Sequence, residues 1–249
     1  MKIICSRHPE ELGQKAAAHT AALLRRYIEN NGVARLLLST GASQFTTLSA
    51  LLEEQVDWTK VEVFHLDEYI DLPPTHPASF VKYLEDRFIS KAQPKTVHYV
   101  DTTGDIDEMI ARLSYEINKS PIDVGLIGIG ENAHIAFNDP PADFENEGTY
   151  IVVKLAEACR RQQLGEGWFP TFDDIPSKAV SMTVRQILKC AHIISAVPFK
   201  VKAQAIYDTV TAPEITPMVP ATALRNHGDV TIYTDRDSAS MLDPSQYCE

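Results

Sequence analysis

Residues 122–141 read IDVGLIGIGENAHIAFNDPP. The first part is an apolar run that stops at Gly128 and Gly130. It is short and bounded by turn formers, which predicts a strand buried on both faces. The rest of the chain supplies its neighbours. Segments 34–40 (ARLLLST), 61–69 (VEVFHLDEY), 96–101 (TVHYVD), 193–198 (IISAVP) and 229–235 (DVTIYTD) have the same strand-like character. Between them, residues 9–30 carry Leu12, Ala16, Ala17, Leu23, Leu24, Tyr27 and Ile28 at helical spacing, ended by Asn-Asn-Gly. Further helices are expected over 44–54, 79–89, 105–119, 179–192 and 199–210, with a long loop before the fourth of these. Short apolar strands alternating with helices imply an α/β fold, a mostly parallel sheet with helices on both faces. No linker-like boundary divides the chain, so a single domain over 1–249 is expected.

Ligands on such sheets bind beyond the carboxyl ends of strands, near the switch in strand order. That selects Ser39–Gln44, Asp67–Tyr69, Gly128–Asp139 and Phe199–Lys202. Gly128-x-Gly130-x-x-Ala133 matches a loose dinucleotide fingerprint. The motif needs a helix to begin at the turn, and the prolines at 140 and 141 with Asn138-Asp139 make one improbable. A nucleotide loop is thus disfavoured, leaving a plain glycine turn with a satisfied His134 or a catalytic loop. Asp67 and Glu68 are strand neighbours and point to opposite faces, so one faces a cleft and the other turns away. A carboxylate held in a cleft is a suitable general base; a solvated strand end is the plainer alternative. Ser39-Thr40-Gly41-Ala42-Ser43 joins a strand to a helix. Small residues, hydroxyls and a helix N-terminus suit an anion, although Thr40 or Ser43 could equally be a plain helix cap. Lys200, Lys202, Arg160 and Arg161 are either surface charge or a phosphate partner turned inward.

Composition narrows the function classes. The chain of 249 residues is 44% hydrophobic with a formal net charge of −11. An acidic balance argues against nucleic acid and anionic membrane as partners, but a few placed cations still bind a small phosphate. No apolar run is long enough for a membrane span, no signal-peptide pattern stands out, and a cytoplasmic location is the default expectation. Cys5, Cys159, Cys190 and Cys248 form no CxxC, so buried or idle thiols are expected rather than a zinc or disulfide framework. Metal spacing such as HExxH is absent.

LLLSTGAS, HLDEYIDLPPTHPASF, GIGENAHIAFNDP, VPFKVKA and PATALRNH occur in that order. Together, over about residues 30–242, they resemble the glucosamine-6-phosphate deaminase/isomerase family, whose relatives include 6-phosphogluconolactonase. DEY with HPASF, and HIAFN, are similar to the amino-sugar branch. The resemblance implies a Rossmann-like fold and a 6-phosphorylated amino sugar as substrate, isomerised with release of ammonia. It implies no redox cofactor and no obligatory metal, and a possible homo-oligomer. It assigns Asp67 as the base moving a proton between C2 and C1, and His134 as the group assisting ring opening. It assigns Thr40, Gly41, Ser43 and Lys202 to the phosphate, with Arg160 aligned as the phosphate arginine and Arg161 as the close alternative. Asn132, Ala133 and Asp139 depart from the Asp, Gly and Glu common in that loop. Asn132 and Asp139 are thereby candidate partners of His134, and Ala133 adds a Cβ where positive φ is expected. A lactonase using His134 as a base for water, and a sugar-phosphate sensor without turnover, are the alternatives. The sugar epimer is left open.

Overall fold

The computed structural model describes residues 1–247. In chain order its elements are β1 (Lys2–Ser6), α1 (Pro9–Asn31), β2 (Ala34–Leu38), α2 (Phe45–Glu53), β3 (Val61–His65), β4 (Asp67–Tyr69), α3 (Phe80–Leu84), α4 (Ser90–Ala92), β5 (Thr96–His98) and α5 (Ile106–Ile117). The second half adds β6 (Val124–Ile127), β7 (Tyr150–Lys154), α6 (Glu157–Gly165), β8 (Lys178–Met182), α7 (Val184–Ile187), β9 (His192–Val197), α8 (Ala203–Thr211), β10 (Val230–Asp235) and α9 (Pro244–Tyr247). The expected helix at 9–30 is α1. Its N-terminus is capped by the His8 side chain, which accepts from the Glu11 N–H, and it ends at Gly32 in the left-handed region, φ 77°.

Seven strands form one parallel sheet in the order β1-β10-β9-β6-β2-β3-β5. The chain runs outward from β2 through β3 to β5. It then returns to β6 on the other side of β2, and continues through β9 to β10. Strand order therefore reverses between β2 and β6, which is where such a sheet opens a crevice. Helices α1 and α2 cover one face with Tyr83, Leu84 and Phe88. Met109 and Leu113 of α5, Ile206 of α8 and Leu224 cover the other. Strands β2 and β6 are buried along their whole length, as their apolar sequences require.

Two secondary-structure expectations need correction. Residues 61–69 are not one strand. The chain breaks at Leu66, whose N–H donates to the Leu38 carbonyl while its own carbonyl accepts from Met182 N–H. Strand β3 stays in the parallel sheet, and β4 leaves it to pair antiparallel with β8 in a second sheet, β4-β8-β7. Residues 179–192 are not one helix. Lys178–Met182 is a strand, and only Val184–Ile187 is helical, started by the Thr183 side chain accepting from Gln186 N–H. Apolar residues there fit either periodicity, and pairing with β4 and β7 decides between them. The long loop before it holds β7 and α6. Cys159 and Cys190 are buried and free, as expected. Cys5 is disulfide-bonded, which the scattered spacing did not suggest because sequence distance does not limit a bridge. Cys248 lies outside the described residues. Among the described residues no helix is long and apolar enough to cross a membrane.

Gly13 lets α1 and α2 touch. A Cβ there would stand 2.7 Å from the backbone carbonyl carbon of Thr46. Gly13→Ala should lower stability by ~1–3 kcal/mol despite alanine's better helix propensity, because backbone cannot yield as a side chain can. Urea denaturation checks this; a midpoint at or above that of the unaltered protein would show that the two helices separate freely.

Candidate active site at the strand ends

A cleft of about 500 Å³ opens at the switch between β2 and β6. Thr40, Gly41 and Ser43 line it beyond β2, Asp67 beyond β3, Gly128, Gly130 and His134 beyond β6, and Lys202 beyond β9. Four strand ends singled out by sequence thus meet around one space. Its roof comes from α6, through Gln162 and Gln163, and from Glu166 just past it. Sequence reasoning missed these three. With Cys159 they fall at i, i+3, i+4 and i+7, the inward face of a helix, a signal present in the sequence but hidden by their polarity.

Asp67 and Glu68 divide as neighbours on a strand must. Glu68 turns away and is fixed: its oxygens accept from Ser79 Oγ and Val81 N–H, both at 2.8 Å, and from Tyr69 N–H at 2.9 Å. Asp67 is 5% exposed and lines the cleft. Burial, and then the neighbouring Glu68, push its pKa well above the ordinary carboxylate value. A carboxylate poor in solvation is a strong proton acceptor once ionised.

His134 is held in one orientation. Its Nδ1 lies 2.7 Å from Asn132 Oδ1 and 3.2 Å from Asp139 Oδ1. The Asn132 amide nitrogen donates to Asp139 Oδ1 at 2.9 Å. An ionised carboxylate only accepts, so the amide must present its NH₂ to Asp139 and its oxygen to the imidazole. His134 therefore donates from Nδ1, and Nε2 is the basic nitrogen of the neutral ring. Burial works to raise the Asp139 pKa. Bonds from His134, Asn132 and the Ala156 N–H outweigh it, and the carboxyl sits below its ordinary value. Asn132 thus transmits the acid's influence rather than losing it. The loop turns at Ala133 with φ 63°, the left-handed conformation foreseen there. Gly130 has no alternative, since a Cβ would stand 2.3 Å from His134 Nε2.

The opposite end suits an anion. Gly41 adopts φ 101°, ψ 164°, a glycine conformation, and its carbonyl accepts from Tyr83 Oη at 2.9 Å. Neither Thr40 nor Ser43 caps the helix that follows, so both hydroxyls lie free of that duty. Lys202 is buried, and desolvation lowers its pKa against the opposing pull of Glu166 and Glu131. Arg160 is not brought to the cleft. Its guanidinium stacks on Phe172 at 4.1 Å and donates to the carbonyls of Phe172 and Ile175, each at 2.9 Å. Arg161 points outward to Glu157. The helix phase that turns Gln162 and Gln163 inward turns both arginines away.

Donor atoms of His134, Asp139 and Cys159 lie within 4.8 Å of one another. A metal needs the thiolate, and burial keeps the Cys159 thiol well above its ordinary pKa. His134 and Asp139 are already bonded to each other and to Asn132, so hydrogen bonding accounts for this cluster.

Residues 7–233 match the model of the family described as glucosamine-6-phosphate isomerases/6-phosphogluconolactonase. A glucosamine-6-phosphate deaminase of Clostridium botulinum is 31% identical over 99% of both chains. The solved structure of a monomeric glucosamine-6-phosphate deaminase superposes with a TM-score of 0.87 at 30% identity, covering 97% of this chain and all of that one. A 6-phosphogluconolactonase from Thermotoga maritima shares the fold, with a TM-score of 0.76 at 17% identity over 94% of this chain and 98% of its own.

Glu68 supports the strand end rather than the chemistry. Glu68→Ala strands one hydroxyl and two N–H groups and should cost ~3 kcal/mol, the scale for buried donors left unsatisfied. Chemical denaturation measures it; a loss within experimental error would mean that Ser79 and Val81 find other partners.

Proposed function

The chain belongs to the glucosamine-6-phosphate isomerase/6-phosphogluconolactonase family, and from that premise we propose that it is a hexosamine-6-phosphate deaminase. It converts a 2-amino-2-deoxyaldose 6-phosphate to a ketose 6-phosphate and ammonia. The observation that carries this reading is the pairing of two unlike groups in one cleft. Asp67 is a desolvated carboxyl to which no group donates among the described residues. His134 is an imidazole held by Asn132 and Asp139. A lactone hydrolase needs the second but has no use for the first.

The chemistry follows from what each group can do. Nε2 of His134 accepts the proton of the C1 hydroxyl and returns one to the ring oxygen, which opens the ring to the aldehyde. Asp67 then removes the C2 proton, now acidified by the C1 carbonyl, and the electron pair moves to the carbonyl oxygen, which gains a proton. Redelivery of the proton by Asp67 to C1 leaves an imine at C2. Water adds there and ammonia departs. No oxidant or reductant enters the balance. Thr40, Gly41, Ser43 and Lys202 hold the phosphate, whose binding energy orients C1 and C2 at the far end. The cytoplasm, where sugar phosphates are generated, is the matching location.

Incubating the protein with glucosamine 6-phosphate and with galactosamine 6-phosphate should release ammonia and a ketose phosphate from at least one. Neither product from either sugar overturns the assignment. Asp67→Asn should lower turnover by a factor of ~10² or more. It should also stabilise the fold at mildly alkaline pH. The folded Asp67 pKa lies above the unfolded value, so its favourable contribution is complete below the unfolded pKa and is lost as pH rises through the folded one. An amide never takes on the charge. Thermal melts of both proteins test the second point, and a lower melting temperature for the variant would contradict the desolvation argument.

A further inference from the structure

The anion end of the cleft holds a carboxylate of its own. Glu166 Oε2 stands 4.0 Å from the point a Cβ on Gly41 would occupy. Its charge is the largest acidic influence on Lys202, and it also acts on Tyr83, whose hydroxyl bonds Gly41. The side chain is held there by two donors, Trp168 Nε1–H to Oε2 at 2.9 Å and the Gln162 amide to Oε1 at 2.8 Å. Among the described residues no arginine lines this cleft, and Arg160 and Arg161 are bonded elsewhere. Lys202 is the cation among the described lining residues, and Glu166 lines the same space. Beside them Gln163, 6% exposed, lines the cleft with its Oε1 unpartnered. A buried acceptor left unmatched is costly unless a ligand completes it.

We propose that Glu166 is a specificity-determining residue, a built-in anion that competes with the ligand's phosphate for Lys202 and the Gly41 turn. The inference rests on the deaminase reading of the cleft and extends it. A phosphate monoester brings about −1.5 to −2 charges at neutral pH. One buried lysine does not neutralise that charge and a carboxylate together, so a phosphate enters by moving Glu166 off Trp168 and Gln162. The displacement costs free energy that a bare phosphate cannot offset. A full substrate offsets it through contacts elsewhere in the cleft, including a donor hydrogen bond to Gln163. The cleft thereby rejects small free phosphates and accepts a sugar phosphate that fills it.

Calorimetric titration of inorganic phosphate tests this on the unaltered protein, Glu166→Gln and Trp168→Phe. Glu166→Gln should bind phosphate about tenfold more tightly, the scale of removing one nearby like charge at a partly solvated site. Trp168→Phe, which loosens the carboxylate without removing its charge, should show a smaller gain. Affinity for unphosphorylated glucosamine should be the same in all three. Phosphate affinity that is equal in the unaltered protein and Glu166→Gln, absent from both, or weaker in the variant overturns the inference, as does a parallel gain for glucosamine. Ammonia release by the same proteins separates the two questions. Turnover with no change in phosphate affinity leaves the deaminase standing and removes the role of Glu166. Tighter phosphate binding without turnover does the reverse.

Discussion

The backbone of Leu66 joins two sheets. Its N–H reaches back to the Leu38 carbonyl at the end of β2, and its carbonyl receives Met182 N–H from the end of β8. Because of these two bonds the chain neither continues along β3 nor wanders into a loop. Asp67 follows within one residue, so its position over the crevice is set by main-chain hydrogen bonds rather than by side-chain packing. The next residue, Glu68, secures the far side through Ser79 and Val81. A buried carboxyl that lines a cleft needs such a mounting, since no described residue bonds the group itself.

The histidine is mounted on a different principle. Asp139 does not simply oppose the imidazole; it also fixes the amide of Asn132, and the amide in turn fixes the ring. Replacing the usual acid at position 132 by an amide leaves one negative charge near the imidazole instead of two. It keeps the geometry, because Oδ1 of asparagine accepts as a carboxylate oxygen does. The sharper charge separation lies across the cleft, between this polar, bonded loop and the bare carboxyl of Asp67.

Strand β6 is legible as an unbroken apolar run, VGLI, and β2, β9 and β10 as short segments rich in aliphatic and β-branched residues. The four segments that line the cleft are legible because a parallel sheet binds its ligands beyond strand ends. The break at Leu66 is not, since it depends on Leu38 and Met182, both remote in sequence. The strand at 178–182 is hidden in the sequence because its apolar residues satisfy both periods and only its neighbours choose. Arg160, with Arg161 as the close alternative, is assigned to the phosphate by the family resemblance, and Gln162 and Gln163 carry no charge to single them out. Helix phase, fixed by the burial of Cys159, turns the uncharged pair inward.

Helix α6 and the residue before it meet the His134 loop at two points. Asp139 Oδ2 accepts from the N–H of Ala156, which precedes the helix, and Gln162 Oε1 accepts from Glu131 N–H. Loop and roof therefore share their hydrogen bonds, and neither can swing away while the other keeps its full set. Displacing α6 would take both bonds from the loop, one of them from the carboxylate that fixes His134. The orientation of the His134 imidazole is thereby coupled, through the single carboxylate of Asp139, to the seating of the helix above the cleft.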